Sequence, residues 1–189
     1  AALKSGLYDE VMVSTDDAEI AEIAKQYGAK VPFIRSEKNS NDFATTVDVL
    51  IEVLDWYQQN NIEFQQGTCI YACAPFVNSK LLQDSFALLN QENADCVFPS
   101  LAYSHPIQRA LKVAENGKIE PFDTASSNLR TQDLDKAYFD AGMFYTFDVA
   151  KLRATKSLRT NNTFTIEVEE IHAQDIDHEN DWILAEMKY

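Results

Sequence analysis

Thr68-Cys69-Ile70-Tyr71-Ala72-Cys73-Ala74 is apolar along its whole length rather than at alternate positions, and Pro75 ends it. A run of that kind reads as a parallel strand covered on both faces, which requires a sheet with helices on each side. The flanking segments supply the helices. Residues 45–59 place Val47, Leu50, Ile51, Leu54 and Tyr57 on one helical stripe. Beyond the run, Asn78 or Ser79 caps a helix whose inner face carries Leu82, Phe86 and Leu89. Earlier in the chain, residues 10–15 form a short β-branched strand, and Thr15 or Asp16 caps a helix over 18–27. That helix turns Ile20, Ile23, Ala24 and Tyr27 to one side before Gly28 stops it. Residues 31–34 read as a second strand, placed at an edge by Pro32, and Cys96-Val97-Phe98 as another. Strand and helix alternate, so the expectation is a doubly wound, mostly parallel α/β sheet with its ligand site beyond the carboxyl ends of the strands.

The middle of the chain differs. Residues 107–113 alternate, Glu115-Asn116-Gly117 makes a turn and 118–122 return, which predicts a β-hairpin. A polar loop over 123–136 and the segment 138–147, with Ala141-Gly142 at its centre, follow. The expectation is one domain over 1–189 carrying an inserted β-hairpin arm over about 103–140, with a surface flap as the alternative to an arm that packs on a twin subunit. The opening Ala1–Leu7 reads as the last turn of a helix capped by Gly6, as though the protein's first element preceded it.

Charge narrows the function. At a net −14 the chain repels nucleic acid, and any phosphate ligand must be met by metal and a few placed cations. No apolar run reaches the length of a membrane span, so no membrane is expected and the cytoplasm is the default. Three cysteines without ligand or disulfide spacing exclude zinc and a disulfide framework.

The chemistry-bearing candidate lies near the end, in Gln174-Asp175-Ile176-Asp177. In extended backbone the two carboxylates share a face, repel each other, and gain from a hard divalent cation such as Mg²⁺. The alternative is that Asp177 caps the helix over 179–187 while Asp175 sits in a solvated turn.

Four further stretches carry a resemblance. They are Val13-Ser14-Thr15-Asp16-Asp17-Ala18-Glu19-Ile20-Ala21; Val31-Pro32-Phe33-Ile34-Arg35 with Asp42-Phe43-Ala44-Thr45-Thr46-Val47-Asp48; Pro106-Ile107-Gln108-Arg109-Ala110-Leu111-Lys112; and Arg130-Thr131-Gln132-Asp133-Leu134 with Tyr138, Ala141-Gly142 and Phe144-Tyr145. In this order over 1–189, together with Gln174–Asp177, they resemble the acylneuraminate cytidylyltransferases, in particular the branch acting on pseudaminic acid. The resemblance implies a Rossmann-like fold of the nucleotide-diphospho-sugar transferase type and transfer of CMP from CTP to a nine-carbon keto acid, with pyrophosphate leaving. It implies Arg35, Ala44 and Thr46 as readers of cytosine and ribose, and Asp175 and Asp177 as metal carboxylates. Asp177 is also a possible base. Tyr71, Arg109, Arg130, Gln132 and Tyr145 become candidates for the acceptor, and a homodimer through the arm is implied. For Arg35 the alternative is a loop arginine, and for Arg109 and Arg130 a structural ion pair with Asp133 or Asp140. His105 and His172 read as structural.

The pattern departs from the family at several points. No Gly-rich phosphate loop, nor the strand before it, is present in these residues. Ser36 stands where proline is usual, Cys73 where threonine is common, and Met143 where glutamine is frequent. Two further readings therefore stand beside the enzyme: a nucleotide-binding protein without turnover, and a metal-dependent Asp-x-Asp glycosyltransferase.

Overall fold

The computed structural model describes residues 1–125 and 129–189, so part of the expected loop over 123–136 lies outside the described residues. Helix α1 (Ala2–Ser5) ends at Gly6, whose φ of 67° is the left-handed cap expected there. Helix α2 (Ala18–Gln26) is capped by Asp17, not Thr15 or Asp16: Asp17 Oδ1 accepts from the N–H groups of Glu19 and Ile20. Helix α3 (Thr46–Gln59) starts in a capping box between Thr45 and Asp48. Strand β1 (Gln66–Ile70) stops well before Pro75, and α4 (Ser79–Gln91) is capped by Asn78. Next come β2 (Cys96–Ala102), the hairpin strands β3 (Leu111–Val113) and β4 (Ile119–Pro121), then β5 (Tyr138–Asp140) and β6 (Phe144–Asp148). Helix α5 (Val149–Thr155), strand β7 (Thr163–Glu167) and helix α6 (Glu179–Lys188) complete the chain.

The sheet corrects the expected strand directions. Its order is β1-β6-β2-β5, with β7 on the other side of β2. β6 runs antiparallel to both β1 and β2, β5 is antiparallel to β2, and among the paired strands only β7 pairs with β2 in parallel. The cause is the arm. The chain leaves β2, forms the separate β3–β4 ladder, and returns as β5 and β6 along the edge it left, without a crossover. The expected strands over 10–15 and 31–34 shrink to a single parallel bridge between Met12 and Lys30.

Helices do cover both faces of this mixed sheet. Side chains of β6 alternate: Tyr145 and Phe147 join Leu54 of α3 on one face, whereas Phe144 packs with Leu82 of α4 on the other. The hydroxyls between β1, β6 and α4 are paired. Thr146 meets Thr68 at 3.0 Å and Ser85 at 2.8 Å, and Ser85 donates to the Leu82 carbonyl, so the inner hydroxyls cost little. One expected face stays bare: Ile20, Ile23 and Tyr27 of α2 are exposed, and only Ala21 of that helix is buried.

Candidate functional site

The site is built where β1 and β6 meet the start of α3. Tyr71 follows β1, held by its N–H donating to the Met143 carbonyl, and its phenol lies 3.1 Å from Thr46 Oγ1 at the first turn of α3. The Tyr145 ring stands edge-on to Tyr71, with centroids 5.6 Å apart. These residues line a cleft of about 880 Å³ with Glu52, Trp56 and Arg159 on its walls. A volume of this size accommodates a nucleotide-sized ligand. Burial raises the proton affinity of Glu52, but hydrogen bonds from Ser36 and Asn39, helped by the Arg35 charge, outweigh it and hold the carboxylate below its usual range.

Arg35 and Ala44 flank this cleft in sequence without lining it. The Arg35 guanidinium is folded onto Ser14, Nε donating to Oγ at 3.2 Å and Nη2 to the carbonyl at 2.5 Å. Ala44 donates its N–H to the Asn41 carbonyl in the turn before α3. Arg109, Arg130 and Gln132 belong to the arm and do not line the cleft of their own chain. Arg109 Nη2 donates to the Leu129 carbonyl, and Arg130 pairs with Asp133 at 2.8 Å, which is the structural pairing weighed from sequence. His105 bonds its neighbour Ser104, and His172 stands 3.8 Å from Glu169.

Asp175 and Asp177 lie in irregular backbone between the short 3₁₀ turn Glu170–His172 and α6, not at the mouth of a strand. Nor does Asp177 cap α6. The cap position is His178, and Asp181 Oδ2 accepts from the N–H groups of Asp177 and His178 at 3.2 and 2.9 Å. Lys188 fixes the segment from below, donating to the Glu170 and Ala173 carbonyls and to Gln174 Oε1, each at 2.9 Å. The Asp175 carboxyl is raised above its ordinary value by burial first, then by the charges of Asp177, Asp140 and Asp181. Its carboxylate rests against Gly142, where an added β-carbon would stand 2.8 Å away. Among the described residues no three His, Cys, Asp or Glu side chains gather closely enough to hold a metal. Two carboxylates suffice for Mg²⁺, which keeps several waters and shares its coordination with substrate phosphates. The hard oxygen donors and the concentrated negative charge fit such an ion.

Asp140 joins the two halves. Its Oδ1 accepts from the Gly142 N–H at 3.0 Å, and its Oδ2 accepts from the Tyr145 hydroxyl and, at 2.6 Å, from Arg159 Nη2. Burial, then Asp140, pushes the Tyr145 phenol far up, so it stays protonated and donating. The Arg159 guanidinium also lies 5.4 Å from the centre of the Phe98 ring. Neither this role of Asp140 nor any role of Arg159 was read from the sequence. The position of Asp140 two residues before Gly142 was the only available signal.

The family described as Cytidylyltransferase matches residues 1–184. Pseudaminic acid cytidylyltransferase of Campylobacter jejuni is 40% identical over 144 residues, covering 76% of this chain and 62% of that protein. N-acylneuraminate cytidylyltransferase A of Danio rerio is 27% identical over 189 residues, covering 100% of this chain and 43% of that protein. The chain thus spans less than two thirds of the length of these relatives. A solved CMP:2-keto-3-deoxy-manno-octonic acid synthetase complexed with CTP superposes with a TM-score of 0.63 over 98% of this chain and 83% of that one, at 15% identity, and so shares the fold.

Proposed function

This chain belongs to the cytidylyltransferase family, and on that premise we propose that its protein transfers CMP from CTP to a nine-carbon keto acid of the pseudaminic or sialic type. The observation that carries the reading is the continuity from the Thr46–Tyr71–Tyr145 cleft, through Asp140 and Gly142, to the Asp175 carboxylate. It joins a nucleotide-sized cavity to an acidic pair.

In this reading Arg35, the Ala44 backbone and the Thr46 hydroxyl meet cytosine and ribose. The two bonds to Ser14 leave the guanidinium of Arg35 with further N–H donors for the pyrimidine carbonyl. The anomeric hydroxyl of the acceptor attacks the α-phosphorus of CTP, the bond from that phosphorus to the bridging oxygen breaks, and pyrophosphate leaves. The hydroxyl proton passes to a carboxylate of the acidic pair. Asp175 and Asp177 would hold a divalent ion, Mg²⁺ by the fit of their donors, whose chemistry is to neutralise phosphate charge. Tyr71 and Tyr145 shape the acceptor side of the cleft.

The arm exposes Leu111, Val113, Ile119 and Phe122, apolar side chains that a partner surface would cover. A second copy of the chain is the proposed partner. Arg109, Arg130 and Gln132 would then reach an acceptor from the arm rather than within their own cleft. With no helix among the described residues long and apolar enough to cross a membrane, the proposed place of work is the cytoplasm.

Pyrophosphate release from CTP with pseudaminic acid, and separately with N-acetylneuraminic acid, tests the reading. Release with one acid, dependent on CTP and a divalent cation, is expected. Binding of CMP without release would return the non-catalytic reading, and use of a UDP-sugar in place of CTP would return the glycosyltransferase; the relatives favour neither.

A further inference from the structure

A second cavity, of about 480 Å³, opens beside the cleft and is lined by Phe98, Ser100, Tyr138, Phe139, Arg159 and Asp140, with Thr165. Arg159 borders both spaces. The Ser100 hydroxyl is buried there without a hydrogen-bond partner, in a residue only 1% exposed. A hydroxyl removed from water and left unpaired is costly, and native structures seldom keep one without a ligand or water to meet it. The Phe98, Tyr138 and Phe139 rings supply the apolar part of the walls, Asp140 and Thr165 add a carboxylate and a hydroxyl, and Arg159 is the one cation among the lining residues.

Resting on the transfer reaction above, we infer that this cavity binds the carboxylate of the acceptor sugar acid, with Arg159 and the Ser100 hydroxyl as its donors. Asp140 takes one bond from Arg159 Nη2 and the Tyr145 hydroxyl also faces the guanidinium, whose five N–H groups leave donors for a ligand. Asp140 already takes part of the Arg159 charge, so the pocket accommodates one carboxylate at most and disfavours a triphosphate. Chemistry also fixes where such a subsite must lie. In a cyclised 2-keto acid the carboxylate is bonded to the carbon that carries the attacking hydroxyl, so its pocket must adjoin the acidic pair. Asp140 provides that adjacency, touching Arg159 on one side and Gly142, against which Asp175 rests, on the other. The aromatic walls suit the methyl groups of acylamino substituents.

The test uses the full-length protein and the variants R159Q, R159K and S100A, with the sugar acid and its methyl ester as probes. Steady-state kinetics gives separate KM values for acid and CTP, and calorimetry gives binding of acid and ester. For R159Q the expected result is a KM for the acid raised about 10- to 100-fold with the CTP value, whose cleft Arg159 also borders, raised no more than about threefold, and equal binding of the ester by variant and wild type. R159K, which keeps the pair with Asp140 but not the fork, should recover part of the loss, and S100A should cost about 3- to 10-fold. An unchanged KM for the acid in R159Q overturns the inference and leaves the transfer reaction standing. Equal losses for acid, ester and CTP mark a structural role and also overturn it. A wild-type protein that neither binds the acid nor releases pyrophosphate removes both readings together.

Discussion

Gly142 lies directly against Asp175: a β-carbon at position 142 would stand 2.8 Å from the carboxyl carbon and from Oδ2. Gly142 also has φ +66°, a conformation costly to side chains. Gly142→Ala therefore carries two penalties. The expected outcome is a loss of stability of about 1–2 kcal/mol and a fall in kcat of at least about tenfold as the carboxylate is displaced. Thermal unfolding and pyrophosphate release measure the two. Wild-type turnover in this variant would show that the Asp175 position is not critical.

The acidic pair predicts opposite effects on stability and activity. The Asp175 carboxyl is raised by burial and by Asp177, Asp140 and Asp181. A folded-state pKa above the unfolded one means that the folded chain binds the proton more tightly. Its contribution to stability is then present below the unfolded value and lost as pH rises through the folded value. At neutral pH the ionised group is a liability. Asp175→Asn should raise the Tm at pH 7 in EDTA, the gain vanishing in acid where wild-type Asp175 is already protonated, while transfer is lost. A lower Tm at pH 7 would mean that the charge is compensated.

The Thr46–Tyr71 hydrogen bond ties the first turn of α3 to the end of β1. Tyr71→Phe keeps the ring against Tyr145 and removes only the hydroxyl. A net hydrogen bond of roughly 0.5–1.5 kcal/mol predicts a KM for CTP raised about 2- to 10-fold, with stability changed by no more than that amount. An unchanged KM would separate this bond from nucleotide binding.

How much of this was legible in the sequence depends on the kind of signal. Helix α3 was legible from its periodic apolar positions alone, and α4 from such positions behind the strong cap Asn78. Strand direction was not. Phe144–Asp148 is buried on both faces whichever way it runs, and only the return path through the arm makes it antiparallel. Helix α5 and strand β7 escaped notice because each is short and Asp148 is a cap with few periodic residues behind it. The expected stripe of α2 failed differently: its periodicity is real, yet no element among the described residues covers Ile20, Ile23 or Tyr27. At the site, Thr46, Tyr71 and Tyr145 lie together at the start of α3, just after β1 and early in β6. Arg159 could not be found that way. It sits in a loop, and its meaning comes from Asp140 and Phe98, distant in sequence.

The arm gives the last prediction. Val113 is 74% exposed and Phe122, just beyond β4, 68% exposed, on a two-stranded ladder that among the described residues pairs with no strand of the main sheet. Isolated two-stranded hairpins are marginal in water, so an arm of this composition gains by burial against a partner. If that partner is a second copy, a charge at the centre of the apolar face opposes association without touching the core. Val113→Lys should shift the protein from dimer to monomer in analytical ultracentrifugation at micromolar concentration. Its Tm should change by only a few degrees beyond the loss of assembly, because an exposed position contributes little to the monomer. If Arg109 and Arg130 act across the interface, the monomer should also lose affinity for the sugar acid while retaining that for CTP. A variant that stays dimeric, or a wild type that sediments as a monomer, would remove the arm from the assembly.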